Sequence, residues 1–338
     1  MNPAAALPES WIRPTPAGLY CEPGGFYIDP VRPVPRAVVS HGHSDHARPG
    51  HRAVLATVAT LAIMRQRYGA EAGGVLQAAA YGERIDLGGV AVTLVPAGHV
   101  LGSAQIVLEH RGARVVVSGD YKRRPDPTCA PFEPVPCDVF VTEATFGLPV
   151  FRHPADRREI DRLLHSLRLF PERCHLVGVY ALGKCQRLLA LLRACGYDEP
   201  VYLHGALVAL TELYRGFGHD FGALLPCAGV EREALKGKIV LAPPSAFADR
   251  WSRRLPDPVA CMASGWMRVK QRAKARGVEL PLVISDHADW DELTATIGEL
   301  GAGEIWVTHG REEALVHYAA GIGLKACALA LVGFEEDE

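Results

Sequence analysis

Several features that would narrow the function of this chain are missing from its sequence. No apolar run approaches the length of a membrane-spanning helix. The stretch from Met1 to Pro16 has neither the basic start nor the apolar core of a secretory signal. The nine cysteines are scattered and form no Cys-x-x-Cys pair, which is typical of buried thiols in a reducing compartment. These absences predict a cytoplasmic protein with no membrane association.

A strong charge of either sign is missing as well. The formal net charge is −2 over 338 residues, so any surface that binds nucleic acid must be a local patch. Apolar residues make up 49% of the chain, enough for a sizeable core, and this argues against disorder. The length allows two domains or one large one.

The sequence does contain a dense histidine cluster at residues 41–46, which read His-Gly-His-Ser-Asp-His. The preceding residues 36–40 read as a short buried strand. In an extended segment His41 and His43 share a face, whereas Asp45 and His46 lie past the strand end. Imidazole and carboxylate are ligands for zinc and similar ions, so one segment can serve two adjacent metals. The alternative is a surface histidine cluster without a metal.

Other predicted strands also end in polar side chains that could act as ligands. These are His99 in a glycine-flanked loop, Asp120 after Ser118-Gly119, and Glu143. Asp29, before Pro30, could orient a ligating imidazole or could cap a turn. A lone histidine is usually structural and an aspartate after glycine is often a turn residue, but several such strand ends together favour a site.

From residue 154 helices and strands alternate, which is typical of a parallel α/β unit. Lys184 follows Gly183 at a predicted helix start, where backbone amides could hold a phosphate, although an ordinary helix start fits nearly as well. Residues 267–277 contain five cations and no acid. If extended, these cations face one way and favour an anionic partner over a plain solvated surface. The five are Arg268, Lys270, Arg272, Lys274 and Arg276.

The C-terminal part returns to strands followed by ligand-type side chains. Residues 282–285 are predicted as a strand that leads into Asp286-His287-Ala288-Asp289, and residues 304–308 as a strand that leads into His309. A last strand is predicted at 325–331. The acidic tail at 335–338 is expected to fray.

The pattern resembles the metallo-β-lactamase superfamily, in which two β-sheets are sandwiched by helices with metals at one sheet edge. The resemblance implies a first metal held by His41, His43 and His99. It implies a second metal held by Asp45, His46 and His309, with Asp120 bridging the two. Zinc is expected in the purified protein, and manganese as an ion that could support activity.

Glu143, His287 and His309 resemble motifs A, B and C of the β-CASP nucleases, a group with an α/β cassette inserted into the lactamase fold. The fold expected is therefore an α/β protein, an αββα sandwich with an inserted β-CASP-like α/β domain. Residues 1–149 and 282–338 would form the sandwich and residues 150–281 the insertion.

More specifically, residues 41–51, Ala263-Ser264-Gly265-Trp266-Met267 and residues 285–290 resemble bacterial ligase-associated DNA damage response exonucleases. That likeness implies an exonuclease in DNA repair that acts on single-stranded or end-containing DNA. It also implies a functional association with an ATP-dependent DNA ligase and a helicase.

In the mechanism implied, hydroxide attacks phosphorus at the two metals and leaves a 5′-phosphate and a 3′-hydroxyl. Asp45 and Asp120 serve the metals that drive the reaction. His287 is not needed as a ligand and would protonate the leaving oxygen, with Glu143 favouring its protonated form. A packing role for His287 is the alternative. Lys184, Arg268, Lys270 and Arg272 would contact substrate phosphates.

Three other functions remain open at this stage. An RNA-processing nuclease would use the same site, and a histidine at motif C is typical of RNA-processing members of the group. A small-molecule esterase of the lactamase fold would not need the inserted cassette. A non-catalytic binding subunit would be expected to have lost ligands, whereas every ligand position here is filled.

Overall fold

The structure is a computed structural model that describes residues 7–329. The chain divides into two compact units, Met1–Pro149 with His287–Glu338, and Val150–Asp286. The second boundary lies a few residues beyond the one expected from the sequence. The predicted acidic tail and the end of the predicted last strand fall outside the described residues. Within residues 7–329, no helix is both long and apolar enough to cross a membrane.

The first unit opens with eleven strands in chain order. They are β1 (Ile12–Thr15), β2 (Gly18–Cys21), β3 (Phe26–Ile28), β4 (Ala37–Val38), β5 (Ala53–Thr57), β6 (Val75–Ala79), β7 (Arg84–Leu87), β8 (Val90–Pro96), β9 (Ala104–His110), β10 (Ala113–Val117) and β11 (Val139–Ala144). The second unit adds β12 (His175–Gly178), β13 (Val201–Leu203), β14 (Leu224–Pro226), β15 (Ile239–Ala242), β16 (Val259–Ala263) and β17 (Leu280–Leu282). The chain then returns to the first unit with β18 (Glu304–Gly310) and β19 (Lys325–Ala328).

The α-helices are fewer and cover the sheets. They are α1 (Val58–Tyr68), α2 (Asp156–Leu169), α3 (Lys184–Ala194), α4 (Gly205–Gly216), α5 (Lys270–Ala275), α6 (Trp290–Glu299) and α7 (Glu312–Gly321). Thr57 caps the first of them, because its side chain accepts a hydrogen bond from the backbone N–H of Thr60. A capping box formed by Asp289 and Glu292 begins α6, with its N-cap two residues after His287.

Two sheets pack face to face in the first unit. One has the order β1-β2-β3-β4-β5-β6 and the other the order β19-β18-β11-β10-β9-β8-β7. A shared core joins them, with Ile28 and Leu55 from the first sheet against Ile106 and Val141 from the second. These inward residues alternate along their strands with residues that point to the opposite face, as the pleat requires.

Helices cover the outer faces of both sheets. Leu61 and Met64 of α1 pack on the first sheet beside Val39 and Val54. Leu293 and Ile297 of α6, with Leu315 of α7, belong to the core on the outer face of the second sheet. The layers are therefore helix, sheet, sheet and helix, and the predicted αββα sandwich is confirmed.

The second unit is built on an all-parallel sheet with the order β14-β13-β15-β12-β16-β17. Its central strands are buried throughout: every residue of β12, β13 and β15 is buried, as expected for strands covered on both faces. The predicted α/β texture of the inserted segment is thus observed.

Some local predictions were wrong. The basic run is not extended, because a 3₁₀ turn at Gly265–Arg268 and helix α5 occupy it, so its cations do not alternate onto one face. The strand predicted at 282–285 ends at Leu282. His309 lies within β18, not after it.

Candidate metal centre

The polar residues singled out in the sequence gather where strands of the two sheets end. Asp120 follows β10, Glu143 and His309 lie at the ends of β11 and β18, and residues 40–46 follow β4. Strands β10, β11 and β18 run parallel, so their carboxyl ends meet at the same edge of the second sheet. In sheets of this kind ligands bind beyond the carboxyl ends of the strands.

Four of these side chains form one compact group. The ligand atoms of His41, His43, His99 and Asp120 all lie within 4.8 Å of one another. Nδ1 of His43 lies 3.2 Å from Nε2 of His41 and 3.0 Å from Nε2 of His99. One carboxylate oxygen of Asp120 lies 3.4 Å from the same nitrogen of His41. Three imidazole nitrogens and a carboxylate oxygen thus converge on one point.

A second group shares Asp120 with the first. Nε2 of His46 lies 3.4 Å from that same oxygen of Asp120 and 3.5 Å from Oδ2 of Asp45. The ring of His309 stacks on the ring of His46 at a centroid distance of 5.1 Å. Asp120 therefore lies between the two groups, where a bridging carboxylate is expected.

Asp29 orients the histidines from behind. Its Oδ2 accepts hydrogen bonds from Nδ1 of His46 at 2.8 Å and from the hydroxyl of Ser40 at 2.5 Å. The Ser40 hydroxyl in turn lies 3.0 Å from Nδ1 of His41. With its Nδ1 bonded to Asp29, His46 presents Nε2 to Asp45 and Asp120. Partners of this kind fix the tautomer and orientation of ligating imidazoles.

Backbone geometry supports this packing at two places. Gly119 has a φ of +55°, and a Cβ there would lie 2.7 Å from Cβ of Ser40, so only glycine fits directly before Asp120. His309 has a φ of +56° although it is neither glycine nor asparagine. Residues held in this left-handed region tend to cluster at functional sites.

Electrostatics separates the histidines of the centre. Burial is the largest influence on the pKa of His41 and, with the neighbouring His46, lowers that pKa well below the usual value. Burial also opposes the charge of His46, but Asp120 and Asp45 outweigh it and raise the pKa of His46. Burial and the nearby His46 lower the pKa of His309 to about 4. Burial also opposes the charge of Asp120, but His46 and His287 outweigh it and lower the pKa of Asp120 well below its usual value.

Glu143 and His287 form a pair beside this centre. Nδ1 of His287 donates to Oε2 of Glu143 at 2.9 Å, while Oε1 of Glu143 accepts from the backbone N–H of Tyr121 at 2.7 Å. Burial raises the pKa of Glu143, and the adjacent His287 opposes that rise. The ring of His287 lies 4.6 Å, between centroids, from the ring of His99.

The donor set fits divalent metal ions. Neutral imidazole together with carboxylate oxygen is the combination that zinc, manganese and iron accept, and thiolate ligands are absent from this group. Five imidazoles and two carboxylates give enough donors for two ions that share Asp120.

The predicted phosphate-binding residues lie in the second unit. Lys184 is 1% exposed, and its ammonium lies 2.7 Å from the carboxylate of Asp286. The guanidinium of Arg272 lies 3.8 Å from the centroid of the Trp266 ring, and Nε of Arg268 donates to the backbone oxygen of Val150. Lys270 is exposed. The contact of these residues with substrate stays a prediction.

Sequence reasoning missed two residues that support the site. Ser40 connects Asp29 to His41, and Lys122 is 1% exposed with its ammonium against the backbone oxygen of His287 at 2.9 Å. Their positions beside ligands, directly before His41 and two residues after Asp120, were the available signal. A contact with a partner more than 160 positions away cannot be read from local pattern.

Comparisons with known proteins agree with this geometry. A protein from Opitutus terrae named "Probable DNA ligase" is 30% identical over 327 residues, which cover 92% of this chain and 30% of that protein. "Endoribonuclease YSH1" of Candida glabrata is 36% identical over 33% of this chain. "Cleavage and polyadenylation specificity factor subunit 3" of Dictyostelium discoideum is 34% identical over 37% of it. The chain spans 15% and 16% of the length of those two eukaryotic proteins.

Other comparisons bear on the fold. No protein-family model matches the chain. A crystal structure of a protein of unknown function from Enterococcus faecalis V583 superimposes with a TM-score of 0.60 at 12% identity, covering 89% of this chain and 80% of that one. At that identity the likeness concerns the fold alone. The αββα sandwich, the separate α/β unit and the ligand set, together with these relatives, make the chain similar to the β-CASP group of the metallo-β-lactamase superfamily.

Proposed function

We propose that this protein is a metal-dependent nuclease that hydrolyses DNA phosphodiesters, acting as an exonuclease in DNA repair. The observation that carries the proposal is the Glu143–His287 pair, at 2.9 Å, beside a group of imidazoles and a carboxylate suited to metals. An esterase with a good leaving group does not need such an acid, whereas a leaving sugar oxygen does. We place the protein in the cytoplasm.

The residues take separate roles in this reaction. Two divalent ions, when bound, would lower the pKa of water and neutralise the charge of the attacked phosphate. His41, His43 and His99 would hold one ion, Asp45, His46 and His309 the other, and Asp120 both. Zinc is the ion we expect in the purified protein, and manganese an ion able to support activity.

His287 would supply the leaving-group proton. Because Nδ1 of His287 is bonded to Glu143, Nε2 is the ring nitrogen that can pass a proton to the leaving 3′-oxygen as the phosphorus–oxygen bond breaks. Water provides the oxygen that joins phosphorus. The products are a 5′-phosphate and a 3′-hydroxyl.

The preference for DNA rests on the relatives. The Opitutus terrae protein, whose name includes DNA ligase, matches across 92% of this chain, whereas the endoribonuclease from Candida glabrata matches over 33%. This supports a functional association with an ATP-dependent DNA ligase, and with a helicase by family resemblance. An RNA-processing nuclease is the second candidate, because the endoribonuclease from Candida glabrata is 36% identical to this chain over 115 residues.

Digestion of matched single-stranded DNA and RNA tests the proposal. Both oligonucleotides carry the same sequence and a label at one end, and the chelator-treated protein is supplied with zinc or manganese. We expect DNA to be shortened progressively from an end, faster than RNA. Faster internal cleavage of RNA would support the second candidate, and no cleavage of either polymer with any metal would refute a nuclease.

A further inference from the structure

A buried lysine connects the segment that follows Asp120 to the segment that carries His287. Lys122 is 1% exposed, and its Nζ donates to the backbone oxygen of His287 at 2.9 Å and lies 3.2 Å from Oε2 of Glu292. We call this set of contacts the Lys122 clamp. Burying an ammonium is costly unless it is paired and hydrogen-bonded, and both conditions are met here.

The same two segments are joined by further hydrogen bonds. The backbone N–H of Ala288 donates to the backbone oxygen of Tyr121 at 2.6 Å. The N–H of Tyr121 donates to Glu143, whose other oxygen accepts from the ring of His287. His287 is thus held through its ring, through its own carbonyl and through the N–H of Ala288 in the same peptide group. All three connections lead to the two residues that directly follow Asp120.

Glu292 extends the clamp to the helix that begins after His287. Its Oε2 also accepts from the backbone N–H of Asp289, which closes the capping box of α6. Its Oε1 accepts from the backbone N–H of Arg124 at 2.7 Å. The charge of Lys122 therefore holds both the carbonyl of His287 and the carboxylate that fixes the start of α6.

We infer that Lys122 is a positioning residue that fixes the backbone of His287, so that the imidazole keeps its place relative to Asp120. This inference rests on the proposed role of His287 as the acid. A displacement of about 1 Å in a reacting group can cost roughly 10²-fold in rate. Lys122 would accordingly matter for the step that needs the proton, and little for metal or substrate binding.

The test compares Lys122→Met with Arg123→Met. Arg123 is the adjacent residue and also pairs with α6, but through Glu299 at 2.6 Å and Thr296 at 3.2 Å, further along the helix than the segment that carries His287. For Lys122→Met we expect kcat on DNA to fall about 10- to 100-fold, with KM and metal content unchanged. Hydrolysis of a nitrophenyl phosphodiester, whose leaving group needs no proton, should stay near the wild-type rate. Arg123→Met should resemble the wild type on both substrates.

Amide hydrogen exchange supplies a readout that does not depend on activity. In metal-free Lys122→Met, peptides covering residues 287–289 should exchange faster than in the wild type, while peptides covering β9 should not change. Lys122→Gln, which keeps an N–H donor without the charge, should show the same pattern at smaller size if the methionine variant does not fold.

Two results would overturn the inference: equal losses on DNA and on the nitrophenyl substrate, or unchanged exchange at 287–289. Inactivity of the wild-type protein on every nucleic acid would refute the proposed function instead. The exchange comparison would still decide whether Lys122 fixes the backbone of His287.

Discussion

Glu143 and His287 lie 144 positions apart in the sequence, and their side chains meet at 2.9 Å. The second oxygen of Glu143 is held by the N–H of Tyr121, so the carboxylate is fixed between a backbone group and the imidazole. A buried carboxylate with both oxygens bonded has little freedom to turn. The orientation of His287 is therefore determined by β11, the strand that carries Glu143.

The first prediction concerns His287. His287→Ala should retain both metals and DNA binding but lose about 10²–10⁴-fold in kcat, the usual contribution of a general acid. The loss should shrink on a nitrophenyl phosphodiester. Glu143→Gln should also lower the rates on DNA and on the nitrophenyl substrate, but by smaller factors than His287→Ala. Loss of metal from His287→Ala, measured by elemental analysis, would assign His287 to the metal site instead.

The second prediction concerns Asp120. The wild type should bind two divalent ions per chain, and Asp120→Asn should weaken both sites, because one oxygen of Asp120 approaches His41 at 3.4 Å and His46 at the same distance. Elemental analysis after dialysis measures the effect. Asp45→Asn is the matched comparison and should weaken only one site. Retention of two tightly bound ions by Asp120→Asn would contradict a bridging role.

The third prediction concerns Lys184. Its ammonium and the carboxylate of Asp286 are 1% and 3% exposed as side chains and lie 2.7 Å apart. Breaking a buried pair by removing one partner costs about 3–5 kcal/mol, so Lys184→Met should lower the thermal midpoint markedly. If Lys184 instead binds substrate phosphate, Lys184→Met should raise KM for DNA and reduce its salt dependence, and the thermal midpoint should not change.

The fourth prediction concerns the exposed cations of the basic run. Replacing Arg268 and Lys270 with alanine should raise KM for DNA and lower the slope of log affinity against log salt by roughly 0.7 for each lost contact on a single strand. Hydrolysis of a small phosphodiester should not change. Lys236→Ala, which removes a cation paired with Glu233, is the control. Equal effects of control and test variants would mean that only net charge matters.

The fifth prediction concerns acid stability. Burial, together with the charge of Arg173, lowers the pKa of His175 to about 4, from about 6.5 in an unfolded chain. Between these values the unfolded state binds a proton that the folded state does not, so stability falls as pH drops from 6.5 towards 4, by up to about 1.4 kcal/mol per pH unit. His175→Gln should reduce this slope while retaining a partner for Ser166, which lies 2.8 Å from the ring.

Thermal melts of both proteins between pH 7.5 and pH 4.5 measure the difference. His165→Gln, a change at an exposed histidine on the helix that carries Ser166, should leave the slope as it is in the wild type. A slope in His175→Gln as steep as in the wild type would assign the acid sensitivity to other groups.

Local pattern predicted some elements of this fold well and others poorly. Helix α1 is an element that local pattern can predict, because its apolar spacing and its Thr57 cap are local signals. The basic run was judged on an extended backbone, but Ser264 caps a 3₁₀ turn there and the chain continues as helix α5. Strands β1 and β2 were not predicted, since their proline- and glycine-rich sequence becomes a hairpin through its pairing with the rest of the sheet.

Some residues of the candidate site could likewise be predicted from local sequence, and others could not. The cluster of residues 41–46 indicates metal binding because its candidate ligands lie close together in the sequence. The support from Ser40 and Lys122 depends on contacts that only the folded chain creates. At Lys184 the sequence is compatible with phosphate binding, which stays a prediction, whereas the ammonium's contact with a buried carboxylate could not be read from the sequence. Sequence gives the type of side chain, whereas its partner is decided by packing.

The position of β18 bears on the order in which the centre is assembled during translation. This strand pairs with β11 in the interior of the second sheet and carries His309, but it is synthesised after the whole of Val150–Asp286. A nascent chain of which only the first half has been synthesised contains His41, His43, His99 and Asp120. It contains neither His287 nor His309. It also lacks the strand that pairs with β11. If the protein has the proposed activity, products that end before residue 309 are therefore expected to be inactive.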